Sequence, residues 1–432
     1  SFPRAVKFIA RMANHPNENG TSVPYTLTGA NSKELQSMQA YVAAGGGFLG
    51  SRFLLGMDLT ETIEKPIGMA ATEYWETARM MKFIAVDELP FCGGFDGQGH
   101  TLTLTKTAGG TSPFFDGLFG FVMQASLSNV KIVYPQATVL QSGGGSNGGA
   151  GGLAGGAWLS SVNNVALTAP DGLTASAANA GGLVGYAFSS PVSGSSFTGG
   201  LTGRSQLGGL VGRAEARDVV IRPLLSTLYT GMQSAVSGSY AAGDIVSQPT
   251  GGDRVVQDTG GLIGNAVGQV ALVTDSFFFG NVSGGEAVGG LIGRLSSADY
   301  DGILNGVYVQ GNVTADNYGG GLVGAATYIT TNETFKAIRN GYYVGQITCA
   351  GVLGAAAGNF IAAEGFYFDK QVGGNLPTYG AVEGNSGAAL SGGQLAGTAI
   401  DGFTAGEGYP RLSAFGDREI SVLSTGRVFD FG

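Results

Sequence analysis

The stretch GGLVG at residues 181–185 recurs, with small changes, along most of the chain. The other copies are GLFG at 117–120, GGLAG at 151–155, GGLVG at 208–212, GGLIG at 260–264, GGLIG at 289–293 and GGLVG at 320–324, with a decayed AGVLG at 350–354. Successive central leucines are separated by 35, 30, 27, 52, 29 and 31 residues. A period near 30 residues is typical of a solenoid, in which each repeat packs on the next.

The segment that precedes each motif also recurs. It reads DSFFFGNV at 275–282, NGVYVQGNV at 305–313 and NGYYVGQI at 340–347. Aromatic and β-branched residues between Gly and Asn favour short strands joined by turns. The 52-residue spacing is close to two periods, so we expect a degenerate copy within 215–258, where SYAAGD at 239–244 preserves the second half of a unit.

The motif itself predicts a corner between two strands. Its leucine occupies the same place in every copy, so we expect it to point inward and to stack on its neighbours. The glycines would permit positive φ and close backbone approach. The next position holds residues as different as Tyr186, Arg213 and Asn265, so we expect it to face solvent. A phosphate-binding glycine loop would need a following helix, and no helical period follows any copy.

Composition excludes several classes of protein. Glycine accounts for 78 of 432 residues, and only 12% of the residues are charged. An apolar share of 43% is too high for a disordered chain, and neither a collagen period nor heptads occur. The net charge of −9 argues against a nucleic-acid partner. No apolar run is long enough for a membrane-spanning helix. The chain begins with Ser1, so we expect a processed protein.

Five further segments, taken in order, resemble a known family. They are LGMDL at 55–59, KPIG at 65–68, FCGGFDGQGHTL at 91–102, YFDKQ at 367–371 and GYPRL at 408–412. Together with the GGL[VI]G copies, they resemble the GLUG-motif repeat proteins of bacterial surfaces and secretions, over roughly 21–412. The resemblance implies a right-handed parallel β-helix in an adhesin-like protein. Some immunoglobulin-cleaving metallopeptidases carry such repeats beside a separate catalytic domain, whose HExxH signature does not occur here.

The predicted fold class is therefore an all-β, right-handed parallel β-helix with a short N-terminal helical cap. We divide the chain into an N-terminal arm (1–20), the cap and first coils (21–116), the GLUG-repeat β-solenoid (117–412) and a strand-like C-terminal tail (413–432). Asn31 and Glu34 read as a capping box that opens the cap helix, which should end at 45–47. The segment TEYWETARMMK at 72–82 predicts a second short helix.

Two sets of polar residues are candidates for chemistry. His100 lies near Asp96 but near no Ser or Cys nucleophile in the sequence, so we interpret it as a structural hydrogen-bonding residue. Asp299 and Asp301 could bind Ca²⁺ if they shared one face of a strand. A solvated turn is the interpretation that we prefer for this pair.

Three further groups of residues each have a functional and a simpler structural interpretation. The basic group Arg204, Arg213, Arg217 and Arg222 could bind an anionic glycan, or could line a solvated loop. Thr101, Thr103 and Thr105 alternate as an ice-binding row would, but the pattern is not repeated in phase. Cys92 and Cys349 are about eight repeats apart, on the order of 38 Å at the spacing of stacked strands, so we expect free buried thiols and no disulfide.

The sequence thus identifies no catalytic, cofactor-binding or metal-binding residue. We expect a non-enzymatic protein of a bacterial surface or of the extracellular space, with an adhesive or structural role. Its partners would be other copies of itself, a host or matrix protein, or a glycan, with no nucleic acid and no membrane span. One alternative is a self-assembling filament or surface-layer subunit joined through terminal strands. The other is a polysaccharide-degrading β-helix enzyme.

Overall fold

A computed structural model of the 432-residue chain describes residues 24–29, 33–47, 50–75, 80–84, 88–107, 111–216, 219–221, 226–229, 236–248, 257–268, 273–297, 301–327, 336–359, 361–379 and 389–420. The described part consists mainly of strands with little helix, which confirms the all-β class. Most strands belong to three parallel sheets, called sheets I, II and III here. Because the period-2 segments recur every 30 residues or so, each strand can pair with its counterpart one repeat along the chain.

Sheet I is the largest and contains the segments that precede the motifs. Within it every pairing is parallel, as between Pro24–Leu27 and Arg52–Leu55 at its first edge. Its 21 strands are Pro24–Leu27, Arg52–Leu55, Leu59–Ile63, Gly94–Asp96, Thr101–Lys106, Ser126–Val133, Thr138–Gln141, Ser161–Ser176, Val192–Ser193, Ser196–Gly203, Val236–Ser237, Tyr240–Ala242, Ile245–Ser247, Val273–Phe279, Val282–Ser283, Leu304–Gln310, Val313–Ala315, Ile338–Val344, Ile347–Cys349, Ala363–Asp369 and Ala389–Leu390.

Sheets II and III lie on the two sides of the motif corner. Among the described residues, the eight strands of sheet II are Phe115–Asp116, Gly149–Gly151, Asn179–Gly181, Gln206–Gly208, Asp258–Gly260, Ala287–Gly289, Tyr318–Gly320 and Val352–Gly354. Within the same described ranges, the seven strands of sheet III are Phe119–Met123, Ala154–Trp158, Val184–Phe188, Val211–Ala216, Ile263–Gly268, Ile292–Ser297 and Val323–Thr327. In both sheets the strands follow one another in chain order, so each repeat contributes one strand to each sheet.

The central leucines of the motifs form part of one continuous core, as predicted. All are 0% exposed and belong to the main hydrophobic cluster: Leu118, Leu153, Leu183, Leu210, Leu262, Leu291 and Leu322. Their backbones are also linked from repeat to repeat, since the Leu210 nitrogen donates to the Leu262 carbonyl at 2.9 Å and the same bond joins Leu262 to Leu291.

The motif glycines serve close approach and not positive φ, so half of that expectation is wrong. None of them has a left-handed backbone conformation. A methyl carbon placed on Gly264 would lie 2.5 Å from the Leu207 nitrogen and 2.6 Å from the Gly212 carbonyl oxygen. A methyl carbon placed on Gly293 would approach the backbone of Thr259 and Gly264 equally closely. Glycine is required at this place because the last position of each motif lies directly against the backbone of the preceding repeat.

The 52-residue spacing does not contain a degenerate motif, contrary to our expectation. Gln206–Gly208 pairs directly with Asp258–Gly260, and Val211–Ala216 pairs directly with Ile263–Gly268. The interval is therefore one repeat. Its extra length includes an antiparallel hairpin of Val219–Ile221 with Ser226–Tyr229.

The predicted second helix at 72–82 is wrong. The structure places an antiparallel hairpin there, made of Ala71–Trp75 and Met80–Ile84. Both segments contain aromatic and β-branched residues, which suit strands, and the ladder of hydrogen bonds between them satisfies their backbone groups. A further short hairpin joins Phe403–Thr404 to Arg411–Leu412.

The first predicted helix is present as Glu34–Tyr41, followed by a π-helical turn, Val42–Gly46. Leu35, Met38 and Val42 pack into the main core. Asn31, the predicted cap, lies outside the described residues. The remaining helical elements are short: Gly145–Asn147, Lys370–Gly373, Gly392–Gly397 and Ser413–Phe415. In the part of the chain described by the structure, no helix is long and apolar enough to cross a membrane.

Candidate binding site in an outer crease

Sheets II and III meet at the motif corner, and the side chains on their outer faces contact one another there. We call this contact line the crease. Sheet II contributes one column of residues to it: Phe115, Gly149, Asn179, Gln206, Asp258, Ala287 and Tyr318. Sheet III contributes a second column: Phe121, Gly156, Tyr186, Arg213, Asn265, Arg294 and Ala325.

The second column is the position after the motif, which we predicted to face solvent. That prediction is wrong for most of its members, since Tyr186 is 2% exposed and Asn265 is 7% exposed. The physical reason is the sharpness of the corner. A residue that points away from the core at the start of a sheet III strand meets a sheet II side chain before it reaches water.

In the first repeats the crease is aromatic. The Phe115 and Phe121 rings lie 5.0 Å apart, and Phe121 contacts Trp158 at 5.8 Å. Trp158 stacks on Phe188 with ring centres 4.8 Å apart. Cys92 belongs to the same cluster, and burial raises the pKa of its thiol well above the usual value. This cluster is thus a second hydrophobic core outside the main one.

In the following repeats the crease becomes charged. Arg294 Nε donates to Asp258 Oδ1 at 3.0 Å, and Arg294 Nη2 donates to Glu286 at 3.2 Å. Asn265 Nδ2 donates to Asp258 Oδ2 at 3.2 Å. The Asp258 side chain is 0% exposed. Its burial raises its pKa to about 6, although the Arg294 guanidinium opposes that shift.

One repeat earlier, Arg213 occupies the crease. Its guanidinium lies 5.3 Å from the centre of the Tyr186 ring, a cation–π arrangement. Arg213 Nη2 is 3.2 Å from Glu215 Oε2, and the Tyr186 hydroxyl donates to the same carboxylate. The Glu215 side chain is only 3% exposed, while Arg213 keeps 27% exposure.

Three polar atoms in this region have no hydrogen-bond partner among the described residues, although they are out of contact with solvent: Gln206 Oε1, Arg213 Nε and Asn265 Oδ1. The three residues are neighbours, because Arg213 pairs in register with Asn265 and Gln206 lies beside Asp258. Buried polar groups are normally satisfied. An acceptor, a donor and a second acceptor therefore remain available in one short stretch, and this stretch is the candidate site.

The basic group of the sequence analysis is only partly brought together here. Arg213 lies in the crease, whereas Arg217 and Arg222 fall outside the described residues. Arg204 lies between strands of sheets I and II, two residues before Gln206. Asp258, Arg294 and Asn265, which complete the polar crease, were missed. The signal that could have found them is the change from aromatic to charged residues at one fixed position of the repeat.

His100 occupies the structural role that we expected, with a different partner. Its Nδ1 lies 3.3 Å from Asp58 Oδ1, and Asp58 also accepts from the Thr101 nitrogen at 2.9 Å. Asp96, the neighbour considered from the sequence, instead accepts from Gln98 and Asn129. The hydrogen bond from Thr101 holds the pKa of Asp58 below its usual value.

Asp301 lies in a turn, and Asp299 is outside the described residues. Both Asp301 oxygens accept from Arg339, with Nε at 3.1 and 3.0 Å, and Arg339 also reaches Glu364 at 2.8 Å. Among the residues that the structure describes, no group of three or more His, Cys, Asp or Glu could hold a metal ion. In the described part of the chain neither cysteine forms a disulfide; Cys92 is buried and Cys349 only partly so.

The threonines at 101, 103 and 105 are followed by no threonine column, because Thr101 pairs with Lys131 and Thr103 with Val133. An exposed or half-exposed column of hydroxyl and β-branched residues does run along another part of sheet I. It consists of Val139, Thr174, Thr202, Val246, Ser283, Thr314 and Thr348. Sequence reasoning missed it because its members are of three residue types and share no flanking motif.

Comparison with known proteins gives no family. No protein-family model matches the chain, and no curated protein matches it. A similar solved structure is the crystal structure of a candidate immunoglobulin A1 protease from Bacteroides ovatus, which is 16% identical. The match covers 95% of this chain and 98% of that one, with a TM-score of 0.38. At that TM-score the likeness supports no conclusion about fold or function.

Proposed function

We propose that the three parallel sheets are the faces of a right-handed parallel β-helix in which each repeat is one coil. The chain-order pairing of sheets II and III and the inward leucines support this architecture. Right-handed connections are the general preference where parallel strands are joined within a sheet. The helix Glu34–Tyr41 would cap the N-terminal end, since Leu35 and Met38 enter the core there.

We propose further that the protein is a non-enzymatic binding protein of a bacterial surface or of the extracellular space. The observation that carries this proposal is the change in the crease. The first repeat fills the two columns of the crease with Phe115 and Phe121, so an apolar filling is compatible with the corner. The later repeats place Asp258 and Arg294 there instead, despite the cost of removing charges from water. Such a replacement is expected where a surface recognises a ligand. The resemblance to GLUG-motif proteins supports the location.

Immunolabelling tests this proposal. Antibodies against the purified chain should label intact source cells or their medium, and protease treatment of intact cells should remove the cell-bound signal. Purified chain added to glycans, matrix proteins and host cells should bind at least one of them. Labelling that appears only after the cells are broken open, with no binding to any of these, would contradict the proposal.

A filament subunit is the second candidate, and one observation favours it. Pro24–Leu27 pairs with Arg52–Leu55 on one side and with no other strand among the described ranges. An open strand edge can accept a strand from another copy. Electron microscopy of the full chain and of a form lacking residues 1–20 separates the cases. Fibres from the full chain alone would support assembly through the N-terminal arm, whereas single rods from both would remove this candidate.

A further inference from the structure

We propose that the polar part of the crease, formed by Gln206, Arg213, Glu215, Asp258, Asn265, Glu286 and Arg294, binds a neutral oligosaccharide. This inference rests on the proposed binding function and names the ligand class of that site. It differs from the anionic glycan that the basic residues suggested. The charge, the hydrogen-bonding groups, the access and the spacing of this surface each favour such a ligand.

The net charge of the polar crease favours a neutral glycan over an acidic one. The polar crease contains two arginines, Arg213 and Arg294, and three carboxylates, Glu215, Asp258 and Glu286. Two positive and three negative groups give a net charge of −1 when all are ionised. Each arginine is already paired with a carboxylate at 3.0–3.2 Å. A uronate or a sulfated sugar would meet repulsion that these paired guanidinium groups do not offset.

The unpartnered atoms define the hydrogen bonds that a ligand must supply. Arg213 Nε requires an acceptor, while Gln206 Oε1 and Asn265 Oδ1 require donors. Asn265 is 7% exposed, so its oxygen would remain unsatisfied at a considerable cost. Hydroxyl groups can both donate and accept, and adjacent hydroxyls on a pyranose ring offer both functions within a short distance. A neutral sugar therefore matches this set without introducing a charge.

Access to these atoms depends on Arg213. Its side chain is 27% exposed and Glu286 is 42% exposed, so this flank of the crease is open to solvent. The unpartnered atoms lie just beneath and are themselves out of solvent contact. Binding therefore requires a rotamer change that moves the Arg213 guanidinium off the Tyr186 ring while its ion pair with Glu215 is kept. Such a rotamer change is small and fast for a partly exposed arginine.

The repeat spacing favours a linear ligand along the strand-stacking direction. Gln206 and Asp258 belong to adjacent strands of sheet II, and Arg213, Asn265 and Arg294 belong to three successive strands of sheet III. Neighbouring strands are about 4.8 Å apart, which is close to the length of one sugar unit. One sugar can thus lie over each repeat.

Isothermal titration of the full chain tests the inference. The probes are hexasaccharides of β-1,4-glucose, α-1,4-glucose and β-1,4-mannose, with hexagalacturonate as the acidic counterpart. Two variants probe the crease, Gln206→Ala and Arg213→Met. Gln206→Ala removes an oxygen that has no internal partner, so it should not lower the unfolding midpoint. Arg339→Met is the matched control, because it removes an ion-paired arginine from sheet I, outside the crease.

We expect a neutral hexasaccharide to bind, with affinity lowered at least tenfold by Gln206→Ala and by Arg213→Met but unchanged by Arg339→Met. Three results would overturn the inference: binding of hexagalacturonate alone, no binding of any probe, or binding of a neutral probe that is unaffected by Gln206→Ala. The last result would leave the proposed binding function standing with its site elsewhere. Failure of the immunolabelling would reject the proposed function independently of any affinity for sugars.

Discussion

The last glycine of each motif illustrates how one residue type is fixed by its surroundings. At Gly264 the neighbouring backbone lies within 2.6 Å of the place where a methyl group would be. Neither partner atom belongs to a side chain that could move away. The requirement therefore comes from two rigid strands that approach each other, and not from a turn.

Replacement of Gly264 by alanine should be severely destabilising. The added carbon cannot be accommodated unless sheets II and III separate locally, so we expect a loss of about 3 kcal/mol, the upper end of overpacking costs. Chemical denaturation measures it. Gly200→Ala is the matched control, because its nearest atom would be the Asp244 carbonyl oxygen at 3.8 Å. Equal unfolding midpoints for the two variants would show that the corner can relax.

Asp258 should make stability depend on pH. Its folded pKa, about 6, lies above the ordinary value of 3.8, since burial disfavours the charged form. The folded state therefore holds the proton more tightly than the unfolded state. The contribution of this group to stability is fully present below about pH 4 and is lost as pH rises through 6. The charged groups that face it are Arg294, Arg213 and Glu286.

The variant Asp258→Asn isolates this effect. Relative to the native chain, it should gain stability between pH 4 and 6, by on the order of 2–3 kcal/mol at 1.4 kcal/mol per pKa unit. Urea denaturation at several pH values gives the difference curve. If the difference in unfolding free energy did not change with pH, Arg294 would be keeping the Asp258 carboxylate ionised at every pH measured.

At the scale of elements, the N-terminal helix is held by a residue far from its own start. The Glu61 carboxylate lies on a strand of sheet I and accepts from the Leu35 nitrogen at 2.7 Å and the Gln36 nitrogen at 3.2 Å. Glu34, which we expected to complete a local capping box, instead accepts from the Gly29 nitrogen at 2.8 Å. The helix and the first full repeat are thereby joined.

Glu61→Ala should loosen this helix. The substitution removes the acceptor of two backbone N–H groups at the start of the helix. Losing such a capping group typically lowers the free energy of unfolding by about 1 kcal/mol. We expect faster amide hydrogen exchange in Glu34–Tyr41 without a change in the later repeats. Glu64→Ala, at an exposed position three residues further on, serves as the control. Unchanged exchange in the Glu61 variant would mean that Leu35 and Met38 hold the helix by packing alone.

The hairpin at 71–84 and the crease show what local patterns could not predict. The helix expected at 72–82 rested on residue types that suit both structures, and pairing between Ala71–Trp75 and Met80–Ile84 decided the outcome. The repeat, the corner and the inward leucines were predictable because each copy carries the same signal. The partners of Asp258 were not, because Arg294 lies 36 positions away. The change from Phe121 to Arg213 at one place of the repeat was nevertheless visible in the sequence.

At the scale of the whole molecule, the C-terminal segment covers one outer face of sheet I. Four aromatic rings stack there on successive strands, with centres 4.7–4.9 Å apart: Tyr240, Phe277, Tyr308 and Tyr342. Phe415 contacts Tyr240 and Phe277, and the Tyr342 hydroxyl donates to the Pro410 carbonyl at 2.7 Å. Arg418 donates to the Gly194 and Gly238 carbonyls. As far as Ile420, the last described residue, the tail thus packs on its own chain.

Phe415→Ala should release this segment. Phe415 is 6% exposed, and loss of a buried phenylalanine costs about 3 kcal/mol or more. We expect faster proteolytic cleavage within 389–420 and increased binding of a hydrophobic dye to the uncovered rings. Val139→Ala, at a 52% exposed position on the same sheet, should change neither. Protease resistance equal to that of the native chain would show that Leu412 and Arg418 suffice to hold the segment.

The connections from sheet III back to sheet I vary from two residues, 159–160, to nineteen, 217–235, yet the sheets keep their register on both sides. The entropic cost of closing a loop rises only slowly with the length of the loop. This junction is therefore a tolerant entry point for new sequence. Evolution could lengthen it in one repeat, acquire a recognition loop and leave the folding of the neighbours untouched. A protein engineer could graft a foreign epitope at the same junction for the same reason.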